Sequence, residues 1–318
     1  MDGVVYLTAS YSRDLDRLQL LRGSLRAVGD ATEHHIVVHD EDLPLFRSAL
    51  AGDASVRLHG TSEYLPAQYE RGRFRSINRK PYPKLARSLL KRLGWRERIA
   101  AAAVSGWHYQ QLTKFLAAAA MPGDCIVILD SDLVAVRKPR SEDYRDSTGR
   151  PHLLSSRELL DSTYYRPWLG QAVEFWRETY QRLGYSDIQA FDRLPPDITY
   201  VLAPVIWSRS AVRKLMSVVE AAYQQSFATT FITRVLNSEF YLYGVYCELQ
   251  SGTDQAGVSR TGRPLAAREI KELDRGDELS AVLRAQWAPE EFPFVWVQGF
   301  LGHTAQDLKA ALPQIQPL

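Results

Sequence analysis

Short apolar runs of strand length alternate along this chain with segments whose apolar residues recur every three or four positions. That alternation implies βα units around a mainly parallel sheet. Val4 to Leu7 predicts a first strand, and Leu15, Leu18, Leu21, Leu25 and Val28 predict a helix that Gly29 ends. His35 to His39 and Ser55 to Leu58 predict two more strands, with a helix between them around Leu43 to Leu50. A helix over Gly106 to Ala120 is broken by Pro122-Gly123, and Cys125 to Leu129 follows as a continuous apolar run. Because it is continuous rather than alternating, that strand is covered on both faces and belongs at the centre of the sheet.

The second half is less regular. The pattern predicts an aromatic-rich helix over Pro167 to Leu183, and an extended Thr199 to Trp207 interrupted by Pro204. Ser208 or Ser210 caps a helix running to Tyr223, and a further helix follows Ser238 and ends near Gly252. Phe294 to Val297 reads as a late strand, and Thr304 with Asp307 as a capping-box start to a last helix. At 318 residues the length allows two domains of about 150 residues. With no internal repeat and no long linker, one elaborated α/β domain over 1–318 is the better expectation.

Asp130-Ser131-Asp132 follows the central strand directly. Residues i and i+2 of an extended chain point to the same side, so both carboxylates can converge on one point. In open α/β sheets, ligands bind beyond the carboxyl end of such a strand. Paired carboxylates are hard ligands suited to Mg2+ or Mn2+, and without a cation they repel one another. The plainer alternative is a polar turn, since Asp and Ser are ordinary turn residues. Cys125 and Cys247 have neither zinc spacing nor a disulfide framework and read as small buried hydrophobes. No apolar stretch has the length of a membrane span, and no basic leader precedes Val4, so the expected location is cytoplasmic.

The stretch CIVILDSDLVAVRKP at 125–139 resembles the Asp-x-Asp segment of nucleotide-sugar glycosyltransferases with the GT-A fold. GWHYQQLTKFLAAA at 106–119, the Trp168-centred helix, APVIWSR at 203–209 and SEFYLYGVY at 238–246 resemble an uncharacterised group of bacterial glycosyltransferase-like proteins. The resemblance implies a Rossmann-like α/β domain, with a nucleotide-binding half over 1–140, a basic insertion at about 65–105 and an acceptor-binding half over 141–318. It implies that Asp130 faces ribose and metal, with Ser131 beside it, and that Asp132 binds the metal bridging the two donor phosphates. Thr8, Ala9 and Ser10 match the segment that holds base and ribose.

Trp107, Gln110 or Gln111, and Lys114 share helical spacing, and Gln111 and Lys114 are assigned to the donor. Lys114 is either a point charge on the diphosphate or an exposed helix lysine. His303, in Gly299-Phe-Leu-Gly-His303, is either a third metal ligand or a loop histidine, because the longer His-Gly-Lys-Pro-Trp signature of glycogenin-like relatives is missing. The other six histidines have no partner at metal-ligand spacing. Glu239 is either the general base for an acceptor hydroxyl or an acid favoured by the start of its helix. The implied reaction moves a sugar from a nucleotide-diphosphate sugar to a glycan or lipid-linked acceptor, in the making of bacterial cell-surface polysaccharide.

Two other readings compete. IVILDSDLVAV also fits a haloacid-dehalogenase-type phosphohydrolase, with Asp130 as nucleophile and Asp132 as acid/base. That motif belongs on a first strand, and three strands precede it here. The second reading comes from charge. Thirty-nine basic and 37 acidic residues sum to +2, yet residues 71–98 hold eleven Lys or Arg against Glu97 alone. A net +10 there leaves −8 for the remainder. With Leu85, Leu89 and Leu93 on one stripe, the segment reads as a basic amphipathic helix for an anionic membrane surface, or as an ordinary docked helix. No nucleic-acid module accompanies it, and no nucleic-acid partner is expected.

Overall fold

The structure is a computed structural model that describes residues 3–67, 69, 106–155, 162–185, 191–192, 194, 198–201, 203–234, 238–250, 257–261, 267–270, 293–297 and 304–307. His303 and the basic segment 71–98 lie outside the described residues.

The first half follows the predicted alternation. β1 (Val4–Ala9) leads to α1 (Leu15–Ala27), β2 (His34–Val38) to α2 (Leu43–Ala49), and then come β3 (Val56–Gly60), α3 (Gly106–Ala120) and β4 (Cys125–Ile128). The chain continues through β5 (Leu133–Ala135), β6 (His152–Leu154), α4 (Ser162–Arg182), β7 (Val205–Ser208) and α5 (Arg209–Tyr223). It goes on through α6 (Phe227–Arg234), α7 (Glu239–Leu249), β8 (Ser259–Thr261), β9 (Ala267–Ile270) and β10 (Phe294–Val297).

Five strands form the central sheet in the order β3-β2-β1-β4-β7. The first four are mutually parallel, and β7 joins β4 antiparallel. The fold is therefore a mixed α/β architecture with a mainly parallel central sheet flanked by helices. β4 is an interior strand, as its continuous hydrophobicity implied. Ile126 and Ile128 enter a core cluster with α3 to α7, while Cys125, Val127 and Leu129 enter one with α1 and α2. Both cysteines are free and buried, in keeping with their reading as small hydrophobes.

Sheet order places the functional end of the molecule. Consecutive strands run outward from β1 through β2 to β3, and β4 pairs on the other side of β1. The crossover direction reverses there, so a crevice opens between the carboxyl ends of β1 and β4. The Asp130–Asp132 turn stands at that crevice. It also joins two sheets, because Leu133, whose N–H reaches the carbonyl of Asp130 at 3.2 Å, starts β5. β5 pairs antiparallel with β10, and β10 pairs parallel with β9.

Three local expectations shift. α4 begins at Ser162, so Pro167 lies inside the helix instead of starting it. β7 is confined to Val205–Ser208, whose last residue caps α5 by accepting from the Ala211 N–H. α7 ends at Leu249, earlier than Gly252. The Thr304 and Asp307 capping box forms as expected, each side chain taking the other's backbone N–H. Among the described residues, no helix is long and apolar enough to cross a membrane.

Candidate active site

The floor of the crevice is set by a buried polar chain. Arg22, 1% exposed, donates to both oxygens of Asp53 and reaches His34 Nδ1 at 3.2 Å. A guanidinium only donates, so Nδ1 accepts and the His34 proton sits on Nε2. From there it donates to Thr8 Oγ1 at 2.8 Å, and the Thr8 hydroxyl donates to the Leu129 carbonyl at 2.7 Å. This relay ties α1, β2 and β1 to the peptide that immediately precedes Asp130. Burial, with the nearby Arg22 charge, pushes His34 well below the ordinary histidine range.

The sign of the pH effect follows. An unfolded chain binds a proton at His34 that the native chain refuses, so this contribution is intact above about pH 6.5 and fades as pH falls below it. The expected slope is about 1.4 kcal/mol of stability per pH unit in that window. Thermal melts from pH 7 to pH 5 check it, and His34→Gln, which keeps an acceptor and a donor, is expected to flatten the decline.

Above that floor lies a cleft of about 260 Å3 bordered by Asp14, Arg17, Lys114, Asp130, Asp132 and Glu239. Four carboxylates face two cations, a formal charge of −2. Lys114 is its centre. Its ammonium donates to Asp130 Oδ1 at 3.1 Å and Glu239 Oε1 at 3.0 Å, and it lies 4.8 Å from the Phe240 ring centroid. Burial works against that charge, but the two carboxylates outweigh it and raise the Lys114 pKa. The side chain is thus no exposed helix lysine: only 6% of it is accessible.

Glu239 is the first residue of α7, behind Ser238, whose Oγ accepts the Phe240 N–H and donates to Glu239 Oε2 at 3.2 Å. Both Glu239 oxygens are therefore engaged. Burial raises the Asp14 pKa and the Asp130 charge adds to this, while Arg17 opposes it. Asp132 Oδ1 accepts from the indole N–H of Trp296 on β10 at 2.9 Å. Among the described residues, no group of three or more His, Cys, Asp and Glu side chains is arranged to hold a metal.

A second, larger cavity of about 520 Å3 adjoins the first. Ala9 and Ser10 from the end of β1 border it, with Val37 and His39 from the end of β2 and Tyr11 from the loop that follows β1. Trp107 and Gln110 line both cavities. Gln110 donates to the Ala9 carbonyl at 2.8 Å, and Ser10 Oγ lies 3.2 Å from Ser131 Oγ, so the two spaces share a polar sill.

The structure thus brings together Ala9, Ser10, Lys114, Asp130, Ser131, Asp132 and Glu239. Thr8 lies beneath, buried and spent on the relay. Gln111 stands apart from them: it is 1% exposed and borders neither cavity, whereas its neighbour Gln110 borders both. Spacings of three and four both keep residues on one helical face, so the position of Lys114 alone did not separate the two glutamines. Asp14, Arg17, Tyr11, Trp168 and Trp296 were not anticipated. For Tyr11 the signal appears only in three dimensions, as a large apolar side chain left 40% exposed.

The chain has distant likenesses among solved structures. An active-site mutant of LgtC shares 10% identity and a TM-score of 0.45, covering 98% of this chain and 96% of the other. The apo form of mouse xyloside xylosyltransferase 1 shares 12% and a TM-score of 0.43, covering 95% and 99%. The galactosyltransferase LgtC in complex with donor and acceptor sugar analogs shares 10% and a TM-score of 0.36, covering 98% and 96%. Likeness at that level is too distant for a residue-by-residue correspondence. No curated protein matches the sequence. A family model described as a family of unknown function, DUF6492, matches residues 4–268, and the chain belongs to that family.

Proposed function

We propose that this chain is a metal-dependent glycosyltransferase that moves a sugar from a nucleotide-diphosphate sugar to a glycan or other cell-surface acceptor. One observation carries the reading: an Asp-x-Asp turn at the topological switch point lines an acidic cleft that adjoins a larger, aromatic-bordered cavity. A nucleoside diphosphate has the matching parts. Its base and ribose suit the larger cavity, between Tyr11, Trp107 and the end of β1, and its diphosphate reaches the cleft past Ser10 and Ser131.

The donor set fits a divalent ion. Two hard carboxylates in a cleft of formal charge −2 favour Mg2+ or Mn2+, and such ions are commonly held by one or two carboxylates plus substrate phosphates instead of an all-protein cage. Asp130 and Asp132 would hold the ion, which when bound supplies charge stabilisation to the departing diphosphate. Lys114 adds a fixed cation beside it. Glu239, with both oxygens engaged, holds Lys114 in place, which suits it better to positioning than to taking a proton. The phosphohydrolase reading is less well supported, because β4 follows three parallel strands of the same sheet.

Release of nucleoside diphosphate from a matched donor and acceptor is expected to fall to background with excess EDTA and to return with Mn2+. Phosphate release from simple phosphomonoesters, with no turnover of any sugar nucleotide, would favour the phosphohydrolase. The wider reading keeps one catalytic domain, with residues 1–140 serving the nucleotide and 141–318 the acceptor, acting in the cytoplasm on bacterial polysaccharide. Residues 71–98 are proposed to dock it on an anionic membrane beside a lipid-linked acceptor. Cosedimentation with phosphatidylserine or phosphatidylglycerol vesicles at low salt, lost at high salt, is the expected result. No retention at low salt would remove the membrane contact.

A further inference from the structure

The acidic cleft has an aromatic wall that ion and diphosphate chemistry does not use. Trp107 and Trp168 lie with ring centroids 5.7 Å apart and planes tilted by 32°, and both border the cleft. Trp168 packs nearly perpendicular to Tyr241, with ring centroids 6.3 Å apart, and the Tyr241 hydroxyl is itself tied to Thr199 at 2.9 Å. Gly244, on the same helix as Tyr241, admits no larger residue, because a Cβ there would run into the ring of Tyr200, which packs edge-on against Tyr241. The indoles are thus held by packing, and Trp107 keeps 41% of its surface open.

A ligand for this wall must present a flat apolar face to electron-rich rings and polar groups at its rim, where Asp130, Asp132, Lys114 and Glu239 stand. A lipid chain would cover the indoles but desolvate the carboxylates with no hydrogen bonds in return. An anionic group brought without a metal ion would face a net negative rim. A sugar ring meets both demands, since its C–H face carries partial positive charge and its hydroxyls donate to carboxylates. At about 260 Å3, the cleft is smaller than the roughly 300–1,000 Å3 of drug-sized sites and suits a single ring.

We propose that the Trp107–Trp168 wall is a platform for one pyranose ring, carried either by the sugar nucleotide or by the acceptor. Its part in transfer rests on the glycosyltransferase reading, whereas its sugar-binding chemistry can be measured without it. Trp168 is the residue to change, because it borders the acidic cleft alone, whereas Trp107 also borders the larger cavity. Trp168→Leu keeps apolar volume but removes the flat face; Trp168→Phe restores a ring and controls for folding, alongside thermal melts of both.

Titration calorimetry with Mn2+ present would compare UDP with UDP-glucose, GDP with GDP-mannose, and methyl glucoside with methyl galactoside, with tetramethylammonium as a cationic probe. Trp168→Leu is expected to bind nucleoside diphosphate as the unmodified protein does, but to lose at least about tenfold in affinity for one class of sugar-bearing probe, while Trp168→Phe stays within about threefold. A loss confined to the sugar nucleotide assigns the platform to the donor ring; one confined to the methyl glycosides assigns it to the acceptor. The proposal is overturned if no sugar-bearing probe binds the unmodified protein, or if Trp168→Leu leaves their affinities unchanged. It is also overturned if the variant loses sugar and nucleoside diphosphate equally, or if tetramethylammonium alone shows the loss. Methyl glycoside binding that depends on Trp168, with no nucleotide bound, would sink the transferase reading and keep the platform. Manganese-dependent nucleotide binding with no Trp168 dependence of any sugar would do the reverse.

Discussion

Replacing Lys114 by methionine is expected to cost about 3–5 kcal/mol of stability and to lower glycosyl transfer by roughly two orders of magnitude. The stability loss comes from Glu239, whose side chain is 3% exposed and would be left with no cation. Methionine keeps the packing on Phe240, so the loss reports charge and not volume. The raised Lys114 pKa means its contribution is fully present at neutral pH and fades only above the ordinary lysine range, so the loss is expected to be flat from pH 6 to pH 9. The double variant Lys114→Met with Glu239→Gln removes the stranded charge. It is expected to regain most of the stability and none of the transfer, because the cation beside the diphosphate is still missing. Thermal melts and initial rates on the three proteins check this. Recovery of transfer in the double variant would show that Lys114 serves only the fold.

Asp132→Ala is expected to leave the melting temperature within about two degrees in the absence of ligand and to abolish both manganese-dependent nucleotide binding and transfer, by about three orders of magnitude or more. The reason for the contrast with Lys114 lies in the partners. Asp130 shares the Lys114 ammonium, so its removal disturbs a buried ion pair, whereas Asp132 accepts from the neutral Trp296 indole at the cleft wall. Retained transfer in this variant would remove the metal assignment, and a collapsed fold would show that Asp132 is structural. Calorimetric titration of Mn2+ with nucleotide, and melts without either, separate the outcomes.

Much of this site is written in local sequence. Five consecutive apolar residues, Cys125 to Leu129, demanded a strand buried on both faces, and the acids after it had to emerge at the end of an interior strand. The helical spacing of Trp107, Gln110 or Gln111, and Lys114 marked one face of α3, and the structure turns Gln110 and not Gln111 to the cleft. What local pattern could not supply were contacts made by distant elements. Trp296 reaches Asp132 only because β10 pairs with β5, a strand of three residues whose brevity gave no signal. Asp14 and Arg17 enter the cleft because α1 starts directly beyond β1, and their charges read equally well as a solvated helix start. His34 had no partner at metal-ligand spacing, and its relay to Leu129 depends on strand pairing across β2, β1 and β4.

The central claim is that the paired carboxylates bind a nucleoside diphosphate through a divalent ion. A thermal-shift screen of UDP, GDP, CDP and TDP, each with and without Mn2+, tests it on the unmodified protein. One nucleotide raising the melting temperature by several degrees only when Mn2+ is present is the expected result. Equal stabilisation with and without the metal, or no response to any of the four, would contradict it.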